Sequence, residues 1–156
     1  MKMPSWEMCE DRATESEILS HLDRCDAHFV PPLSGRVDVS VYAARLRTNA
    51  SRIEAWSDGC LIGLLAVYFS GDESEESTAF VSNVSIEQDF LGQGIASALL
   101  AHCIKCASTT GFRRLRLEVG ADNMAARRLY EKHGFQVCAK PGEQILMQLN
   151  LLEAIQ

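Results

Sequence analysis

The chain has 156 residues, 47% of them hydrophobic and 23% charged, with a formal net charge of −6. That length and balance fit one globular domain over residues 1–156, and the acidic balance, with no basic run, argues against a nucleic-acid surface. No apolar segment reaches bilayer-spanning length, and Met1 to Trp6 lacks the apolar core of a signal peptide, so a cytoplasmic protein with no membrane partner is expected. Cysteines stand at 9, 25, 60, 103, 106 and 138. Cys103 and Cys106 form a C-x-x-C inside a helical pattern, with no second ligand pair and no histidine cluster, so the reading is reduced apolar thiols and no metal.

In chain order, Met3 to Glu10 alternates as a first strand. Thr14 and Glu17 have the spacing of a capping box, ahead of a helix that buries Ile18, Leu19, Leu22 and Cys25. The prolines in 29–35 make that segment a loop. Asp38 caps a second helix with Val39, Tyr42, Leu46 and Ala50 on one face. Residues 52–57 and 60–69 read as two strands joined by the Asp58-Gly59 turn, the second apolar almost throughout and therefore covered on both faces. An acidic loop at 71–77 leads to a strand from Phe80 to Ile86. Its apolar residues step unevenly, from Val81 to Val84 to Ile86, which suggests a bulge. Residues 114–119 alternate as a strand, and Asn123 caps a helix placing Ala126, Leu129, Tyr130 and His133 on one face before Gly134. Residues 135–139 and 144–151 close the chain as strands around Pro141-Gly142. The order is β-α-α-β-β-β-α-β-α-β-β.

Between the strand ending at Ile86 and the helix that carries Ile95, Leu99, Leu100, Cys103, Ile104 and Ala107 lies Leu91-Gly92-Gln93-Gly94. Glycines there let the backbone approach a ligand, and the first amides of the helix, with its dipole, form an anion site suited to phosphate; the plainer alternative is a tight turn. A P-loop is excluded because Ile95-Ala96 stands where Lys-Ser or Lys-Thr is needed. The dinucleotide fingerprint would find a ribose-binding acid at Glu118, but Ser97 replaces its third glycine and too little chain follows for a second nucleotide-binding half.

The stretch from Asn123 to Phe135 resembles the signature N-x-x-A-x-x-L-Y-x-x-x-G-F of GNAT-type N-acetyltransferases. Leu91 to Ala96 resembles that family's pyrophosphate loop, Q/R-x-x-G-x-G/A, with Leu91 at the Gln/Arg position. The two motifs stand in the family's order and at its spacing, and the likeness covers roughly residues 3 to 150. It implies an α/β fold with a mixed sheet of about seven strands and four helices. The implied activity is transfer of an acetyl group from acetyl-CoA to a primary amine (a small molecule, a sugar amine or a peptide N-terminus) by direct attack in a ternary complex. The cofactor residues it implies are Leu91, Gly92, Gln93, Gly94, Ile95, Ala96 and Ser97 at the pyrophosphate, Val84, Ser85 and Ile86 along the pantetheine arm, and Asn123, Ala126 and Tyr130.

In the resemblance Tyr130 protonates the leaving thiolate, its alternative being an aromatic packed on an amphipathic helix. Glu118 is the first candidate base, its alternative a cross-strand partner for Arg116; proton transfer through water without a base is also open. His28 and His133 read as surface groups. Phe29 and Tyr42, on the segment the family places at the acceptor side, and Asn83 are candidate acceptor-binding residues. The family also includes homodimers, which leaves a homodimer open here. A module of the same fold that binds acyl-CoA as a sensor, without transfer, is the rival reading.

Overall fold

The computed structural model describes residues 5–29, 31–69, 77–140 and 142–151. Among these residues the strands are β1 (Glu7–Glu10), β2 (Ser51–Ser57), β3 (Cys60–Tyr68), β4 (Thr78–Ile86), β5 (Arg114–Gly120), β6 (Gln136–Ala139) and β7 (Gln144–Asn150). The α-helices are α1 (Glu15–Cys25), α2 (Val39–Asn49), α3 (Ile95–Thr110) and α4 (Met124–Lys132). The strands form one seven-stranded sheet in the order β1-β2-β3-β4-β5-β7-β6. The sheet is mixed, because β4 and β5 run parallel while β1–β2, β5–β7 and β6–β7 are antiparallel. This is the element order and the α/β class read from the sequence. The first strand is shorter than expected: it starts at Glu7, and Met3 and Pro4 lie outside the described residues. The described residues of the expected loop at 29–35 include a 3-10 turn, Leu33–Gly35. The acidic loop lies outside the described residues except for Ser77.

Backbone contacts group the chain into two compact units, Met1–Ala66 with Asn83–Leu100 and Val67–Ser82 with Ala101–Gln156. In the first, Thr14 Oγ1 accepts from Glu17 N–H at 3.2 Å and Glu17 Oε1 accepts from Thr14 N–H at 2.9 Å, closing the capping box. α1 buries Ile18, Leu22 and Cys25, whereas Leu19 is only half-buried and His21 takes a place in the core. Asp38 Oδ1 caps α2 through Val41 N–H, and the helix buries Ala43 and Leu46, with Val39 and Tyr42 half-buried. Asp58 (φ 50°) and Gly59 (φ 74°) both adopt the left-handed conformation that a type I′ hairpin requires, joining β2 to β3. β3 is buried from Leu61 to Val67, as its unbroken apolar run implies.

Two opposite charges lie in the interior of this unit. Glu54 is fully buried and Arg52 is 2% exposed. Glu54 accepts from the Arg12 and Ala13 amides, from Trp56 Nε1 at 2.9 Å and from Arg52 Nε at 3.2 Å. Arg52 Nη1 donates to the carbonyls of Leu46, Arg47 and Ala50 at the end of α2, and Nη2 to that of Ala13. Gly63 sets a second constraint. A Cβ there would lie 2.9 Å from Ile86 Cδ1, 3.1 Å from Ala55 Cβ and 3.3 Å from Ile95 Cγ2, so the missing side chain lets the start of α3 close onto β3.

In the second unit β5 alternates cleanly, burying Leu115, Leu117 and Val119. The β5–β7 ladder runs from Arg114↔Asn150 to Gly120↔Gln144, and β6 is bulged between Val137 and Ala139. Phe69 and Phe112 pack with ring centroids 5.4 Å apart. Burial along β4 alternates without a break from Ala79 through Val81 and Asn83 to Ser85. The inward positions 83 and 85 hold polar residues, and Ser85 and Ile86 are both buried.

Removing one member of a buried ion pair leaves the other charge unpaired, at a cost of about 3–5 kcal/mol. Glu54→Ala is accordingly expected to lower the unfolding free energy by roughly that amount in urea titrations. A loss under about 1 kcal/mol, the scale of an exposed pair, would contradict the role given to this pair.

Candidate active site

In the first unit the chain leaves β4 through a 3-10 turn, Gln88–Phe90, and reaches Gly92 and Gly94 at φ 80° and 78°. Non-glycine residues rarely adopt this conformation, and a Cβ built on either glycine meets no atom within 4 Å. The backbone thus faces open space at both positions, which is the fit a phosphate group needs. The first bond of the α3 ladder runs from Ala98 N–H to the Gly94 carbonyl at 3.0 Å. No acidic side chain stands in the first turn of α3 to neutralise the positive end of its dipole. Leu91 is 54% exposed, so an apolar side chain stands at the rim where the family's motif has Gln or Arg.

Preceding this turn, Val84 is half-buried and Ile86 buried. Asn83 and Ser85 point inward into a chain of hydrogen bonds that sequence reasoning missed. Asn83 Nδ2 donates to the Leu64 carbonyl at 3.2 Å and to Ser85 Oγ at 2.9 Å. Ser85 Oγ lies 2.8 Å from His21 Nε2, and His21 Nδ1 lies 3.0 Å from the Leu61 carbonyl and 3.8 Å from Glu87 Oε2. Arg24 Nη2 closes the set 3.0 Å from the same Glu87 oxygen. Burial alone would raise the Glu87 carboxyl, but its contacts with His21 and Arg24 bring it below the usual carboxylate range. Polar inward residues at 83 and 85 in an otherwise apolar strand were the available signal.

Of the acceptor-side candidates, Phe29 and Tyr42 are half-buried. The segment carrying Phe29 is tied down by Asp26, which accepts from Ser34 N–H at 2.7 Å and from Ser34 Oγ at 2.8 Å. Those two bonds, the backbone one first, hold the Asp26 carboxyl below its ordinary value. Cys25 is buried, which pushes its thiol up to about 12 and keeps it uncharged.

In the second unit Tyr130 is 7% exposed and its ring meets Phe135 edge-on at 5.9 Å. Burial pushes the phenol up to about 12, so at neutral pH Tyr130 keeps the proton that a general acid must give. Asn123 caps α4 as expected, its Oδ1 accepting from Ala126 N–H at 3.3 Å. Glu118 is exposed on β5, opposite Leu146. Arg116 Nε donates to Gln148 Oε1 at 2.7 Å, so the cross-strand partner of Arg116 is that glutamine and not Glu118. β4 and β5 pair from Thr78↔Arg114 to Val81↔Leu117, whereas on its other side β5 stays paired with β7 to Gly120. The parallel ladder therefore stops three residues short of the end of β5. His28 is exposed; His133 is half-buried and held below the ordinary histidine value by burial and by Lys132.

The mixed seven-stranded sheet is of the α/β class to which the sequence pointed. The model of the acetyltransferase (GNAT) family matches residues 9–135, and the chain belongs to that family. It is 34% identical over 76 residues to the N-acetyltransferase YycN of Bacillus subtilis, a match covering 49% of this chain and 48% of that protein. It is 43% identical over 61 residues to the ribosomal protein bS18-alanine N-acetyltransferase of Escherichia coli, covering 39% and 40%. The matches thus span about half, or less, of these relatives. The fold is shared with the PaiA N-acetyltransferase of Thermoplasma acidophilum in complex with coenzyme A, at TM-score 0.70 and 16% identity over 94% of this chain and 99% of that one.

A carboxylate at position 94 would place a negative charge against a bound phosphate, costing about 4 kcal/mol for unit charges about 4 Å apart near a surface. Gly94→Asp is expected to weaken coenzyme A binding by ~10²-fold or more in calorimetry. Unchanged affinity in a folded variant would remove the anion site from this turn.

Proposed function

We propose that this chain is a cytoplasmic acetyl-CoA-dependent N-acetyltransferase that acts on a primary amine by direct attack in a ternary complex, as a single domain over residues 1–156. The observation that carries the reading is the pair of left-handed glycines over open space at the start of α3, where the family's pyrophosphate loop falls. Among the described residues no helix is long and apolar enough to cross a membrane. The acceptor class is a primary amine, and the name of the E. coli relative supports a peptide-type amine among the candidates.

Acetyl-CoA supplies the activated acetyl thioester. The backbone at Leu91, Gly92, Gln93, Gly94, Ile95, Ala96 and Ser97 holds the pyrophosphate with amides and helix dipole. The segment Val84-Ser85-Ile86 offers its backbone to the pantetheine arm in the manner of an added strand, and an amide near Val84 stabilises charge on the carbonyl oxygen. Asn123 hydrogen-bonds the cofactor and Ala126 packs against it. Phe29, Tyr42 and Asn83 border the acceptor. An alkylammonium has a pKa of roughly 10 and must lose a proton before it attacks, which is the work of Glu118. Tyr130 gives its phenolic proton to the departing thiolate.

Two variants test these roles by free-thiol release. Tyr130→Phe keeps the ring against Phe135 and removes only the donor, so kcat is expected to fall ~10²-fold with little change in cofactor affinity. Turnover equal to wild type makes the hydroxyl a packing feature. Wild-type protein that binds acetyl-CoA and transfers nothing to any amine is a sensor, and the enzyme reading is then wrong. Glu118→Gln is expected to lower kcat/KM near neutral pH and to recover as pH rises, because more of the amine is already neutral. A pH profile superimposable on wild type takes Glu118 out of that role.

A further inference from the structure

We propose that Ser85 and His21 form a second proton-accepting path for the acceptor nitrogen, entered at the Ser85 hydroxyl and ending on His21 Nε2. The inference rests on the acetyltransferase reading above. With His21 as a neutral imidazole, the direction of every hydrogen bond in the chain follows from its two ends. The Leu64 and Leu61 carbonyls can only accept, so Asn83 presents its nitrogen to Leu64, and His21 carries its proton on Nδ1, facing Leu61. The other Asn83 N–H goes to Ser85 Oγ, which frees the serine proton to point at His21 Nε2 across 2.8 Å. In that form the Nε2 lone pair of His21 lies on a serine O–H. Ser85 Oγ keeps a second lone pair, because Asn83 occupies only one.

Charged and titratable groups lie around the ring. Glu87 Oε2 lies 3.8 Å from His21 Nδ1 and is itself paired with Arg24, so a carboxylate stands ready to offset an imidazolium. The neighbours from the same helix and from β3 are thiols: Cys25 Sγ lies 3.7 Å from Nε2, and Cys60 Sγ lies 3.4 Å from Arg24 and 4.0 Å from Glu87. Burial keeps Cys25 a neutral thiol, so it adds no charge. Ser85 also sits between Val84 and Ile86, the two residues whose backbones are assigned to the pantetheine arm.

Proton bookkeeping leaves work for such a path. An ammonium that becomes an amide sheds two protons, and Glu118 takes one. As the second N–H proton passes to Ser85 Oγ, the serine proton moves to His21 Nε2 and the electron pair of the broken N–H bond stays on nitrogen. One of the two protons restores Tyr130 after it has protonated the thiolate, and the other leaves to solvent. Ammonium and thioester thus give amide, thiol and one proton.

The test is the pH dependence of kcat/KM for Ser85→Ala, His21→Gln and the double variant with one amine acceptor, read together with acetyl-CoA affinity. Each single variant is expected to lose about tenfold or more near neutral pH and to recover partly as hydroxide replaces the path, and the double variant should be no worse than either single one. Acetyl-CoA affinity should stay within about twofold, since the backbone donors are untouched. Losses that are equal at all pH values and multiply in the double variant describe a merely structural network and overturn the proposal, as do wild-type profiles. Where His21→Gln fails to fold, Ser85→Ala and the ring-nitrogen NMR of wild-type His21 decide, because an Nε2–H tautomer at neutral pH overturns the proposal. Wild-type protein without transfer defeats the acetyltransferase reading and this proposal with it, a result distinct from an active wild type with silent variants.

Discussion

The first unit depends on the ion pair between Arg52 and Glu54, which water does not reach. Burying two charges carries a large desolvation penalty that is recovered only when their remaining donors and acceptors are satisfied. Here they are: both Glu54 oxygens are occupied by backbone amides, Trp56 and Arg52, and Arg52 in turn satisfies carbonyls at the end of α2. The pair therefore joins the β1–α1 turn, strand β2 and the C-terminus of α2 at one point. Any movement of α1 or α2 along the sheet would strand at least one charge, so the segment between these helices, which carries Phe29, is hung from a fixed frame.

That frame is connected to the glycine turn by a single absent side chain. Gly63 lets Ile95 and Ile86 close onto β3, and the position of Ile95 sets where α3 begins. With the start of α3 anchored, Gly92 and Gly94 can take a left-handed path and leave the backbone open to a ligand instead of folding over it. The same strand that feeds the turn carries Asn83 and Ser85 inward. The cost of two buried polar side chains is offset by His21 and by the carbonyls of β3, which satisfy them.

Elements with strong local signals were legible in the sequence. Thr14 and Glu17 close their capping box, Asp38 and Asn123 cap the helices they were assigned, and Asp58-Gly59 makes the hairpin turn, because each depends on neighbours three residues away or fewer. What was hidden depends on distant partners. His21 looks like a polar face residue of a helix until β3 and β4 bring it a carbonyl and a serine. Glu54 and Arg52 read as ordinary alternating strand charges, since nothing local predicts that amides 41 and 42 residues away will enclose one of them. The inward, polar places of Asn83 and Ser85 in β4 were hidden for the same reason, since an apolar pattern cannot register them. At the proposed site the motif residues were readable by position, but the exposure of Glu118 and the burial that keeps Tyr130 protonated were not.

The central claim is transfer of an acetyl group to nitrogen, and following the group itself tests it most directly. Acetyl-CoA labelled in its acetyl carbonyl would be incubated with the protein and a mixture of peptide, sugar and small-molecule amines, and the label followed by NMR. The account predicts that amide-bound label grows one for one with free coenzyme A thiol, in at least one amine class. Thiol released with the label appearing as acetate, or acetyl-CoA bound and left intact with every amine, would contradict it.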